Sequence, residues 1–113
     1  MELIKLEYVE EFDNYLDSEV ALIYKGQPLG QDWARISKVA EELGEAIQAF
    51  IGYTGQNPRK GSYDSLEHVE DELADVALTA IYAIQHFTKN VSQTRDILDA
   101  SQAKHVRYMK RVK

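Results

Sequence analysis

Asp32-Trp-Ala-Arg-Ile-Ser-Lys-Val-Ala-Glu-Glu-Leu-Gly-Glu-Ala-Ile-Gln-Ala-Phe-Ile51 is the stretch that decides the fold. At about 100° per residue, Trp33, Ile36, Val39, Ala40, Leu43, Ala46, Ile47, Phe50 and Ile51 share one apolar stripe, so the spacing predicts a helix over 32–51. Gly52 reads as its stop. The following residues 52–61 hold three glycines and an Asn-Pro step, which predicts a loop long enough to carry function. The pattern restarts at Ser65, a candidate N-cap with acids in the turn after it. Leu66, Val69, Leu73, Val76, Ala77, Ala80, Ile81, Ile84 and Phe87 then make a second stripe that ends before Lys89-Asn90.

Outside this pair the signal thins. Ile97, Leu98, Val106 and Met109 predict a third helix over about 92–111, and Leu6, Val9, Phe12, Tyr15 and Leu16 predict a shorter one near the start. Residues 20–24 read as helix or strand, and no other stretch alternates usefully. The expected class is all-α, a helical bundle with two long acidic helices, forming one domain over 1–113.

The chain has 113 residues, 19 acids against 13 Lys and Arg, a net charge of −6 and no cysteine. That length suits a single core. Without cysteine there is no disulfide scaffold, thiolate zinc, iron–sulfur cluster or thiol nucleophile, so a metal would be held by oxygen or imidazole. The acidic balance argues against binding a nucleic-acid polymer, which needs a concentrated basic face. No apolar stretch approaches the roughly 20 residues of a membrane span, and acids rather than an apolar signal core follow Met1. The expectation is a cytoplasmic protein with no membrane partner. Charge is uneven: residues 1–19 carry seven acids and one Lys, and residues 104–113 carry five bases and no acid. Either end could be a solvated face.

An internal repeat carries the chemistry. Shifting the chain by 30 residues lays Val39-Ala-Glu-Glu-Leu-Gly-Glu-Ala46 on Val69-Glu-Asp-Glu-Leu-Ala-Asp-Val76, with three identities and close acidic swaps. Both stripes are in the same phase, so Glu42 and Glu45 border the first as Glu72 and Asp75 border the second. If the helices pack antiparallel with stripes together, all four carboxylates face one groove. Such a cluster repels itself unless cations compensate it, and hard oxygen-loving ions, Mg²⁺ or Mn²⁺, are suited to that. The alternative is a set of solvated acids bordering a stripe. Against it, five acids lie within residues 67–75, and like-charge helix neighbours destabilise by roughly 0.2–0.5 kcal/mol per pair. Lys38, four residues before Glu42, is either its helix partner or a phosphate contact.

The pair Glu42-Leu-Gly-Glu45 and Glu72-Leu-Ala-Asp75, E-x-x-E followed by E-x-x-D on consecutive helices, resembles the signature of the all-α nucleoside triphosphate pyrophosphohydrolases, in their MazG-like branch. The likeness covers roughly residues 33–88 and includes Lys38. It implies Mg²⁺-dependent hydrolysis of a nucleoside triphosphate to the monophosphate and pyrophosphate, in a homodimer or dimer of dimers. By carry-over, Glu42, Glu45, Glu72 and Asp75 would hold the metal, with Glu41 a helper near the attacking water. Family members place Lys or Arg after the second metal helix to receive the triphosphate. Lys104 and Arg107 resemble that placement, and Arg59 and Lys60 in the loop are a rival set. Trp33, Tyr53 and Tyr63 are candidates to stack a base or to pack. The three histidines, 68, 86 and 105, fall on different faces or helices and are assigned to no metal.

A P-loop is absent, since residues 52–61 lack G-x-x-x-x-G-K-[ST]. Two long helices with stripes about 140° wide expose more apolar face than two thin helices hide, so a second subunit is expected to cover the groove. Two other readings stand beside the main one: the phosphoribosyl-ATP pyrophosphohydrolase of histidine synthesis, which shares the paired acidic motifs, and a non-enzymatic dimeric helical adaptor.

Overall fold

The computed structural model describes residues 4–24 and 28–112. It is all helical, in the order α1 (Leu6–Tyr24), α2 (Pro28–Thr54), α3 (Leu66–Thr88) and α4 (Val91–Val112). α2 and α3 form the main pair, α1 packs across both, and α4 packs on α3 and α1. None of the described helices is long and apolar enough to cross a membrane.

The helix ends follow local chemistry. Ser65, extended at φ −123° and ψ 157°, caps α3 by accepting a hydrogen bond from the His68 N–H. Lys89 closes it in the left-handed region, φ 53°, with its N–H donating to the Gln85 carbonyl. The Asn90 side chain then accepts from the Gln93 N–H at 2.9 Å and starts α4. Two expected boundaries shift. α1 runs on through 20–24 as helix, and at 19 residues it is still the shortest of the four described helices. α2 does not stop at Gly52 but continues to Thr54, and Gly55 at φ 71° turns the chain. Gly52 serves a different purpose: the Tyr63 N–H donates to its carbonyl at 2.9 Å, and a Cβ there would lie 2.8 Å from the Tyr63 ring. The loop therefore folds back onto the helix at a position without a side chain.

The core is small and sits where α1, α3 and α4 meet. Leu6, Val9 and Ile81 are buried together, with Ile4, Tyr82, Val91 and Leu98 packed around them. Beside them the fully buried Thr94 hydroxyl donates to Gln85 Oε1 at 2.7 Å, fastening α4 to α3. A second, charged knot ties α1 to the long pair. Arg35 on α2 bonds Asp13 on α1, Lys89 Nζ reaches Asp13 at 2.9 Å and Asp17 at 2.5 Å, and His86 lies between Asp17 (3.1 Å) and Asp32 (2.7 Å).

Within one chain the two apolar stripes are not buried against each other. Arg35, Val39, Glu42, Ala46 and Ala49 on α2, and Val69, Glu72, Val76 and Ala83 on α3, are buried or partly buried and at 3.6 residues per turn each set follows a single line; Gly52 on α2 and Ile81, Gln85 and His86 on α3 are buried as well. Small alanines in this seam let the helices approach and push the large side chains to its flank. Trp33, Ile36, Leu43, Ile47 and Phe50 on α2, and Leu66, Leu73 and Phe87 on α3, remain 44 to 66% exposed.

Candidate metal centre

The seam places two carboxylates where the sequence pattern predicts a groove. Glu42 and Glu72 are both only partly exposed, and with Glu45 they bring ligand oxygens within 4.8 Å of one another. One oxygen, Glu72 Oε2, is buried without a hydrogen-bond partner. Burial pushes the Glu42 carboxyl above its ordinary value, the negative charges of Glu45 and Asp75 add to that, and the Lys38 ammonium opposes it. An orphaned oxygen among crowded carboxylates fits a hard divalent cation, which accepts oxygen ligands from such a set.

The remaining expected residues fall in three positions. Asp75 stands outside the three-carboxylate group but lines the adjoining cavity and acts on Glu42 by its charge. Glu41 is exposed and borders the cavities on both sides of the cluster. Lys38 Nζ lies 3.5 Å from Glu41 and 3.6 Å from Glu42; burial would lower its pKa, and these two carboxylates more than offset that and raise it. By contrast, Arg59 and Lys60 are exposed in the loop, Lys60 over the Tyr63 ring, and Lys104 and Arg107 are exposed on α4. None of those four lines the two cavities beside the cluster.

The larger cavity, about 630 Å³, opens from Glu42 and Asp75 toward α1 and is walled by Phe12, Leu16, Arg35, Leu78, Thr79 and Tyr82. Phe12 and Tyr82 stack with ring centroids 4.6 Å apart. The second, about 500 Å³, lies on the Glu45 and Glu72 side and includes Gln48, Tyr63, Asp64 and His68. Of the candidate base-stacking residues, Tyr63 lines this cavity, while Trp33 is 66% exposed on the open apolar flank and Tyr53 is exposed against Phe50.

Two contributors are missing from the sequence reading. The α1 wall depends on tertiary packing that a periodicity does not reveal. His68 was legible: Asp64, His68 and Glu72 are spaced four apart, the spacing of neighbours on a helix face. Its Nδ1 lies 2.7 Å from Asp64 and its Nε2 3.0 Å from Glu72. The bonds to Asp64 and then Glu72 raise the ring's pKa, and the Ser65 N–H followed by His68 lowers that of Asp64. No family model matches the chain, and no characterised protein or solved structure shows significant similarity to it.

Proposed function

We propose that this chain is a divalent-metal-dependent nucleoside triphosphate pyrophosphohydrolase of the MazG-like kind, releasing pyrophosphate and a nucleoside monophosphate. The observation that carries the reading is the set of Glu42, Glu45 and Glu72 oxygens within 4.8 Å of one another, one of them buried and unpartnered. Glu42, Glu45 and Glu72 would hold Mg²⁺, or Mn²⁺, with Asp75 completing the set from the cavity side. The ion supplies charge neutralisation for phosphate oxygens and a more acidic attacking water.

The chain's own residues supply the rest. Glu41, exposed at the mouth of both cavities, would accept the proton of the attacking water. Lys38 offers its ammonium to a phosphate oxygen at the edge of the same cluster. The 630 Å³ cavity has apolar and aromatic walls beside the carboxylates, which suits a nucleoside whose phosphates extend over Glu42. The open apolar flank of α2 and α3 suits a second copy of the chain, giving a homodimer or dimer of dimers. A monomer with full activity by sedimentation at micromolar concentration would remove that part.

Pyrophosphate release, measured with Mg²⁺ across canonical, deoxy and oxidised nucleoside triphosphates, tests the activity. Release from at least one of them, abolished by Glu42→Gln with Glu72→Gln, is the expected result. If no triphosphate releases pyrophosphate, the enzymatic reading fails while the fold stands.

A further inference from the structure

We propose that His68 is a positioning residue for Glu72: it holds one carboxylate oxygen from outside so that the other turns into the seam as a cation ligand. The inference rests on reading the Glu42, Glu45 and Glu72 cluster as a metal site.

The two oxygens of Glu72 have opposite surroundings. Oε1 is bonded by His68 Nε2 at 3.0 Å, and Oε2 is buried with no partner. Both ring nitrogens are taken up by carboxylates, Nδ1 by Asp64 and Nε2 by Glu72, so the ring braces the cluster rather than entering it as a ligand. The ring is in turn fixed from behind. Asp64 Oδ1 receives its Nδ1 at 2.7 Å and also the Ser65 N–H at 2.8 Å, so the anchor is locked to the cap of α3. That segment is pinned to the end of α2 by the Tyr63 N–H on the Gly52 carbonyl and by the Ser62 hydroxyl on the Tyr53 carbonyl at 2.8 Å. A chain of fixed bonds thus runs from α2 through the loop to Glu72.

A carboxylate held at one oxygen has fewer orientations to lose when the other meets an ion. Partners of this kind behind metal ligands typically contribute 10–100-fold in metal affinity. A protonated ring would oppose an incoming cation, but the side chain is 48% exposed, so solvent and salt would screen that repulsion. Simple capping of α3 does not need the imidazole, because Ser65 already accepts the His68 backbone N–H.

Isothermal titration of the metal-free protein with Mn²⁺ and with Mg²⁺ tests this without any substrate. His68→Ala should weaken binding about tenfold or more. His68→Gln, which keeps an N–H donor without the ring charge, should restore most of the affinity. Asp64→Ala, which frees the ring but leaves the donor, should fall between, and it carries the test if His68→Ala fails to fold. Wild-type affinity in folded His68→Ala, or in Asp64→Ala where His68→Ala does not fold, overturns the inference while leaving the metal site intact. Failure of the unaltered protein to bind either ion overturns the metal reading and this inference with it.

Discussion

Arg35 of α2 and Asp13 of α1, 22 residues apart in the chain, form an ion pair almost sealed from water, 5% and 1% exposed. The guanidinium also donates to the Asp13 main-chain carbonyl at 3.0 Å, so one side chain fixes the carboxylate and the backbone of the neighbouring helix. Removing one member of a buried pair leaves the other charge in a poor solvent and costs about 3–5 kcal/mol. Arg35→Met is expected at the low end, about 3 kcal/mol, because Lys89 still holds Asp13. Urea unfolding measures it, and a double-mutant cycle with Asp13→Leu should show strong coupling between the two sites.

The Lys89 contacts give the fold a defined pH window. Burial alone would raise the Asp17 carboxyl, but the Lys89 ammonium, with His86 and Arg35, holds it below its ordinary 3.8. Burial alone would lower the Lys89 pKa, and Asp17 and Asp13 hold it above 10.5. The Asp17 contribution is therefore present above pH 3.8 and is lost as pH falls through its depressed value. That of Lys89 is complete below pH 10.5 and is lost as pH rises through its elevated value. Thermal melts of Lys89→Met against the parent should differ most between these limits, by no more than about 1 kcal/mol given the half-exposed lysine, and converge outside them.

Glu42→Gln should stabilise the metal-free protein near neutral pH while weakening metal binding. The folded state favours protonation of Glu42, so the ionised form is a penalty that grows as pH rises above the ordinary 4.5, and glutamine removes it. Relief of the Glu45 repulsion contributes a few tenths of a kcal/mol. A lower melting temperature for the variant without metal would contradict this.

At Gly52 the expectation is steric. An alanine methyl would lie 2.8 Å from Tyr63 and 3.0 Å from the Asp64 Cβ, so Gly52→Ala should destabilise by about 1–3 kcal/mol. Tyr63→Ala should make the same substitution less harmful, since one of the two clashing groups is gone. Denaturant titration of the four proteins of that cycle measures both effects.

Leu43→Glu with Ile47→Glu places two charges on the exposed flank of α2. Sedimentation equilibrium should report a monomer for this variant and an oligomer for the parent. An unchanged mass would show that the flank is not the contact between copies.

The fold was largely legible because α2 and α3 write their period in strong letters: Val39, Ala46, Val69 and Val76 repeat at helical spacing, and Ser65 and Lys89 stand at the two ends of α3 as residues that cap. The Glu42, Glu45 and Glu72 grouping followed from the shared phase of the two motifs together with an assumed antiparallel packing of their helices, which also put Asp75 in the group where the structure leaves it outside. What periodicity could not tell was which side of a wide stripe turns inward. Alanines in the seam settled that by allowing close approach, leaving Leu43, Ile47 and Phe50 outside. Nor could it foresee the α1 docking through Asp13, Asp17 and Arg35, because polar residues joined across 18 positions or more leave no local spacing to read. Gly52 misled for a related reason: a glycine that ends a helix and one that receives a distant ring look alike in sequence.

Lys89 occupies a backbone conformation that glycine adopts more easily, and its ammonium reaches Asp13 and Asp17 across the fold. These are opposing demands on a single position. A glycine would relax the turn between α3 and α4 yet release α1, whereas an arginine would keep a cation but retain the backbone strain. The corner that ends one helix is thus also the clasp of another, so substitutions chosen to ease the turn will trade local comfort for the closure of the larger cavity's α1 wall.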